Sequence, residues 1–184
     1  MLQHYAGSEQ VGYYSLGVNL ITGMMVLGEG IHFALLSRSD QLAGDPARLR
    51  RATLRAIALA VAGSVVLAVV GYLAVPSLLA RFLPAFLPTA DSFAWLLPGL
   101  VAIAIPVQCE AFLMLTGRYA VFTLTALAAL AVNLGLNLCW LPTRGAVGAA
   151  QAASLAYGVL AVMLLAVVWR APGRDAAGET SYKR

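Results

Sequence analysis

Five apolar runs decide what this chain can become. They lie at about residues 11–37, 56–79, 92–117, 119–141 and 146–169, each long enough to cross the ~30 Å hydrocarbon core of a bilayer at helical rise. Composition agrees: of 184 residues 61% are hydrophobic and 11% charged, and mean hydropathy is +0.83, against roughly half apolar and a quarter charged in soluble domains. Each run must be helical, because a lone strand in lipid leaves its backbone groups unpaired. The expected fold is an all-α polytopic membrane protein with about five transmembrane helices. The opening "MLQHYAGSEQ" is too polar for a cleavable signal and lacks its basic region.

Cations set the expected orientation. With the 38–55 loop in the cytoplasm, alternation places Arg38, Arg48, Arg50, Arg51, Arg55, Arg118, Arg170, Arg174, Lys183 and Arg184 inside. Only Arg81 and Arg144 fall outside, which accounts for all 12 Lys and Arg. The N-terminus is then external and the C-terminus cytoplasmic. The net charge of +4 follows from this topology and from attraction to anionic inner-leaflet lipid, not from nucleic acid, for which no basic and aromatic interleaving exists. Tyr13, Tyr14, Trp95 and Trp140 fall at the outer ends of the runs, and Tyr119 and Trp169 at the inner ones, the headgroup levels that Trp and Tyr favour.

The connections are short. "SRSDQLAGDPARLRRATLR" holds Gly44, a turn at Asp45-Pro46 and a basic stretch that enters the second run as a helix. "VPSLLARFLPAFLPTADSF" carries Pro76, Pro84 and Pro88 and reads as too broken for a regular helix, an interfacial segment with Phe82 and Phe86 in the headgroups. "TGRYA" forces the third and fourth runs into an antiparallel hairpin. Residues 171–184, "APGRDAAGETSYKR", read as a disordered cytoplasmic tail.

The chemistry of an enzyme is scarce here. Cys109 and Cys139 sit in apolar runs without CxxC spacing or an adjacent His, and no phosphate loop or HExxH occurs. No enzyme, metal site or cofactor is expected. Ionisable groups in lipid are costly and are functional candidates by default. Glu29 precedes Ser37 by eight residues and Glu110 precedes Arg118 by eight, so each lies ~12 Å from the same end of its run. The two carboxylates can therefore share one lumen, suited to proton or cation coupling. His32 shares a face with Glu29, flanked by Gly28 and Gly30, while Pro106 removes a backbone hydrogen bond one turn before Glu110, with Gln108 nearby. The alternative is that each Glu is a hydrogen-bonded packing residue.

"NLGLNLCWLPTRGAVGAAQAAS" places Asn133 and Asn137 on one face of the fourth run, where interhelical hydrogen bonds satisfy amides that lipid cannot. These are structural polar residues, and the small-residue face after Pro142 favours a tight hairpin with the fifth run. The same stretch resembles the Asn-x-x-Leu-Asn, apolar, Pro-x-x-Gly-x-x-Gly-Ala-Ala pattern of polysaccharide and O-antigen exporters, within the multidrug, oligosaccharidyl-lipid and polysaccharide flippase superfamily. "VGYYSLGVNL" and "LPGLVAIAIPVQCEAFLMLTGR" are similar to further segments of that family, in the same order, over about residues 5 to 170.

The resemblance implies one lobe of a two-lobe transporter whose N-terminal lobe is missing from this chain. It implies residence in the bacterial inner membrane and translocation of a lipid-linked oligosaccharide by alternating access, a role in polysaccharide and lipopolysaccharide biosynthesis. It also implies a phosphate site, for which Arg38 and Arg118, with His32, are the nearest donors. The chain departs from a cationic cavity, since its deep charges are acidic. A multidrug cation antiporter and a non-transporting scaffold or remnant are the alternatives.

Overall fold

The computed structural model describes residues 2–38 and 45–170, with the backbone alone for 2–6. The chain is an all-α, multi-pass membrane protein: among the described residues four helices are long and apolar enough to cross a membrane. They are α1 (Leu2–Leu36), α2 (Pro46–Phe82), α3 (Thr89–Leu115) and α4 (Tyr119–Arg170), with one 3₁₀ turn at Pro84–Phe86. Gly44 and the 171–184 tail lie outside the described residues.

α1 is helical from its second residue, with a break at Gly7 (φ 82°, ψ 170°) that leaves Gly7–Leu36 as the membrane segment. Residues 2–6 are thus helical but set off from the membrane segment by that break. α2 starts where Asp45 accepts hydrogen bonds from the backbone N–H of Ala47 and Arg48, both at 3.0 Å, with Pro46 at the first helical position. At 37 residues it is about 55 Å long, so its basic first turns project beyond the hydrocarbon. The expectation of a broken segment from Val75 onward is corrected: helix continues through Pro76 to Phe82. Proline removes one N–H and bends the ladder, a loss that membrane helices tolerate, and the irregular chain is confined to the 3₁₀ turn.

α3 ends in a Schellman motif. Gly117 adopts φ 69°, the N–H of Arg118 donates to Leu113 O (2.8 Å) and that of Gly117 to Met114 O (3.2 Å). α4 follows within a few residues. Its 52 residues would reach ~78 Å if straight. Instead the helix breaks at Gly145 (φ 52°, ψ −130°), between the fourth and fifth apolar runs. Phe122 and Ala129 before the break share one apolar cluster with Leu160, Leu164 and Val168 after it, so the chain folds back there.

Two apolar clusters hold the bundle. One joins Leu35, Leu49, Ala56, Phe112, Leu113, Leu164 and Val168. The other joins Ile21, Val75, Leu79, Phe93, Leu96, Leu100 and Ala150 toward the opposite end. α3 is the central element, packed on α1, α2 and α4. It is close-fitted: a Cβ on Gly99 would stand 2.7 Å from Ser154 Oγ, and that hydroxyl donates to Trp95 O (2.6 Å). Arg38, Arg48, Arg50, Arg51, Arg55, Arg118 and Arg170 lie at the first cluster's end, and Arg81 and Arg144 at the other. Arg50 stacks over Trp169 with 5.4 Å to the ring centroid, tying the start of α2 to the end of α4 at one level.

Candidate functional site

α1 and α3 run in the same direction. Gly17 faces Ser92 and Leu96 near their starts, and His32 meets Val107 further along. At that second point two polar bridges cross the seam. His32 Nδ1 donates to Val107 O at 2.7 Å, since a carbonyl can only accept. Gln108 Nε2 donates to Gly28 O at 2.9 Å. Gln108 is fully buried, and its Oε1 has no partner among the described residues.

Each carboxylate lies close to this seam in sequence. Glu29 follows Gly28 and is exposed, while Glu110 stands two residues beyond Gln108 and is half-buried. Neither forms a hydrogen bond or ion pair among the described residues. The helices are continuous at both places, so Gly28, Gly30 and Pro106 do not break them. A Cβ at Gly28 or Gly30 would meet nothing within 4 Å. Both glycines are therefore positions where a side chain would have room, on different sides of α1 because they stand two residues apart.

Sequence reasoning picked out Glu29 on α1 but passed over Ser15, Asn19 and Thr22, which share its face. Ser15, Asn19, Thr22, Val26, Glu29 and Phe33 recur at spacings of three and four and are all exposed. They form one stripe down the helix, about 27 Å from first to last, close to the full depth of the hydrocarbon core. Four of the six are polar or charged. Thr22 Oγ1 is satisfied by Val18 O within its own helix at 2.9 Å. The amide of Asn19 and the carboxylate of Glu29 have no partner among the described residues. The 3,4 spacing of Ser15, Asn19, Thr22 and Glu29 was the available signal.

The remaining predicted residues fall elsewhere. Asn137 Nδ2 donates to Asn133 O (2.8 Å) and to Asn133 Oδ1 (2.9 Å), so the pair closes on itself within α4 in place of bridging helices. Spacing of four puts the two side chains one above the other, and the local bond wins. Arg38 lines a groove between α1 and α2 with Arg48 and Arg55. Arg118 is exposed at the α3–α4 turn and is not part of that groove. Cys109 is buried and Cys139 exposed, both as free thiols. Among the described residues no group of three His, Cys, Asp or Glu is placed to hold a metal ion.

No protein-family model, no curated protein and no solved structure matches this chain.

Proposed function

We propose that the chain is one wall of a membrane exporter that carries a lipid-linked oligosaccharide across the cytoplasmic membrane by alternating access. One observation carries the reading: the exposed stripe Ser15, Asn19, Thr22 and Glu29 on α1. A side chain such as Glu29 is costly in lipid and is found where it faces a bundle interior or a water-filled cavity. The other half of that cavity would come from a second lobe. Sugar hydroxyls need such a wall of acceptors and donors, and alternating access needs two bodies that rock about a site between them.

The resemblance of "NLGLNLCWLPTRGAVGAAQAAS" to polysaccharide exporters supports the same substrate class. Glu29 and His32 act here as the coupling pair, Glu29 exchanging a proton or cation and His32 holding α1 to α3 through Val107 O. Glu110 is the second coupling candidate. A second reading, a multidrug cation exporter, is favoured by the acidic character of the deep charges, since a carboxylate facing a lumen attracts an organic cation.

Translocation of a fluorescent polyprenyl-pyrophosphate sugar into vesicles, measured for the chain combined with its second lobe, tests the proposal. Glu29→Gln should slow translocation about tenfold, equivalent to ~1.4 kcal/mol on the barrier, with the folded yield unchanged. An unaltered rate removes Glu29 from the mechanism. Uptake of a lipophilic cation dye with no movement of the sugar lipid would favour the second reading.

A further inference from the structure

At the arginine-rich end, the seam between α1 and α2 opens into a groove of about 480 Å³. Arg38, Arg48 and Arg55 line it together with Ile31, Leu35 and Leu59. Arg48 and Arg55 also border a smaller opening with Arg51. Four guanidinium groups thus converge, three from α2 and one from the turn that follows α1. Asp45, at the start of α2, accepts from the backbone N–H of Ala47 and Arg48. Such a concentration of like charge raises the free energy of the empty site and favours an anion that neutralises several arginines at once.

The wall of the groove indicates where that anion comes from. Leu59 is 65% exposed and begins the apolar face that α2 continues with Val66, Val69 and Leu73. Ile31 and Leu35 lie on the side of α1 away from Ser15, Asn19 and Glu29, as their spacing requires. The groove therefore communicates with lipid and not with the polar stripe. We infer that it binds an acidic phospholipid of the surrounding leaflet, its phosphate among Arg38, Arg48 and Arg55 and its acyl chain along Leu59. Basic pockets between transmembrane helices take anionic headgroups in this manner. This assignment does not depend on the transport proposal.

The test is binding of fluorescent phosphatidylglycerol to the purified full chain in neutral detergent, with phosphatidylcholine, inorganic phosphate and glycerophosphoglycerol as competitors. Phosphatidylglycerol should bind saturably. Affinity should fall about fivefold per arginine removed, and thus about a hundredfold in Arg38→Gln with Arg48→Gln and Arg55→Gln. The corresponding triple change to Lys should keep most of the affinity, which separates charge from folding. Arg81→Gln with Arg144→Gln, at the opposite end, should change nothing. Leu59→Gln should weaken the lipid and leave glycerophosphoglycerol unaffected. Equal binding of phosphatidylcholine overturns the inference, as does equal loss in the Arg81 and Arg144 variant. Displacement by inorganic phosphate at the concentration where the lipid itself competes would mark a free phosphate site and overturn it too.

Discussion

α1 and α2 both expose a full helical face, yet the two faces differ in kind. On α1 the exposed stripe is Ser15, Asn19, Thr22, Val26, Glu29 and Phe33; on α2 it includes Leu59, Val66, Val69, Val70 and Leu73. Exposure alone does not separate them, since Val26 and Val66 are 63% and 62% exposed. Chemistry does. In a bilayer an exposed aliphatic face is already in its preferred solvent and needs no partner, whereas an exposed carboxylate and amide at the same depth have no acceptable neighbour in lipid. The contrast teaches that an outer surface in such a protein is two surfaces, one for lipid and one for a polar lumen, and that side-chain type sorts them.

The largest effect should come from reversing the sign of the α2 face. Val66 is near the middle of α2, and an arginine at the centre of a lipid-facing helix costs ~2.5–3.5 kcal/mol on insertion. Val66→Arg is expected to cut the folded yield in membranes at least tenfold, equivalent to ~1.4 kcal/mol or more, as read by fluorescence-detected gel filtration of the solubilised chain. Wild-type accumulation of the arginine variant would mean that α2 does not face lipid, and the distinction between the two helices would disappear.

A smaller effect is expected at the seam that orients both faces. Gly71 on α2 is buried, and a Cβ there would stand 2.8 Å from Met24 Cε on α1 and 3.2 Å from Phe93 Cζ on α3. The methionine can swing aside; the fully buried Phe93 ring cannot. Overpacking of this kind costs about 1–3 kcal/mol. Gly71→Val should lower the unfolding midpoint in detergent by that amount, and Gly71→Ala by less. If both variants unfold like the parent, α2 is not seated on α1 and α3 as described, and neither outer face is correctly assigned.

Much of this arrangement was legible in the residues, but unevenly. Lengths of apolar runs specify how often the chain crosses, and Gly117 and Gly145 mark turns where a positive φ is needed. The arginines segregate to two ends because a charge belongs at an interface. Rotation about each helix axis was not legible, because in a segment apolar on nearly every side periodicity has little contrast. The stripe on α1 is diluted by Val26 and Phe33, so Asn19 and Thr22 went unremarked. Nor can a single sequence pair Gln108 with a carbonyl 80 residues away, at Gly28. Proline misled in the other direction: Pro76 reads as a stop in water, yet helix runs through it, as membrane helices tolerate a proline in their interior.

The smallest expected effect gives the sharpest separation of the two faces. Asn19→Leu with Thr22→Val removes two polar groups from α1 and leaves Glu29 in place. If that stripe faced lipid, burying fewer amide and hydroxyl groups there would stabilise the chain. If it faces a polar lumen, the change should stay within about 0.5 kcal/mol, the range of surface substitutions away from specific features. Thr22 loses only its bond to Val18 O within the same helix, whose carbonyl keeps its backbone partner. Stability alone can be blurred by detergent, so accessibility supplies the second measurement. In a Cys139→Ala background, where the remaining Cys109 is buried, Asn19→Cys should react with a charged maleimide in intact membranes and Val66→Cys should not. A cysteine at 19 as inert as one at 66 would place the α1 stripe in lipid and leave Glu29 without the polar surroundings that its charge demands.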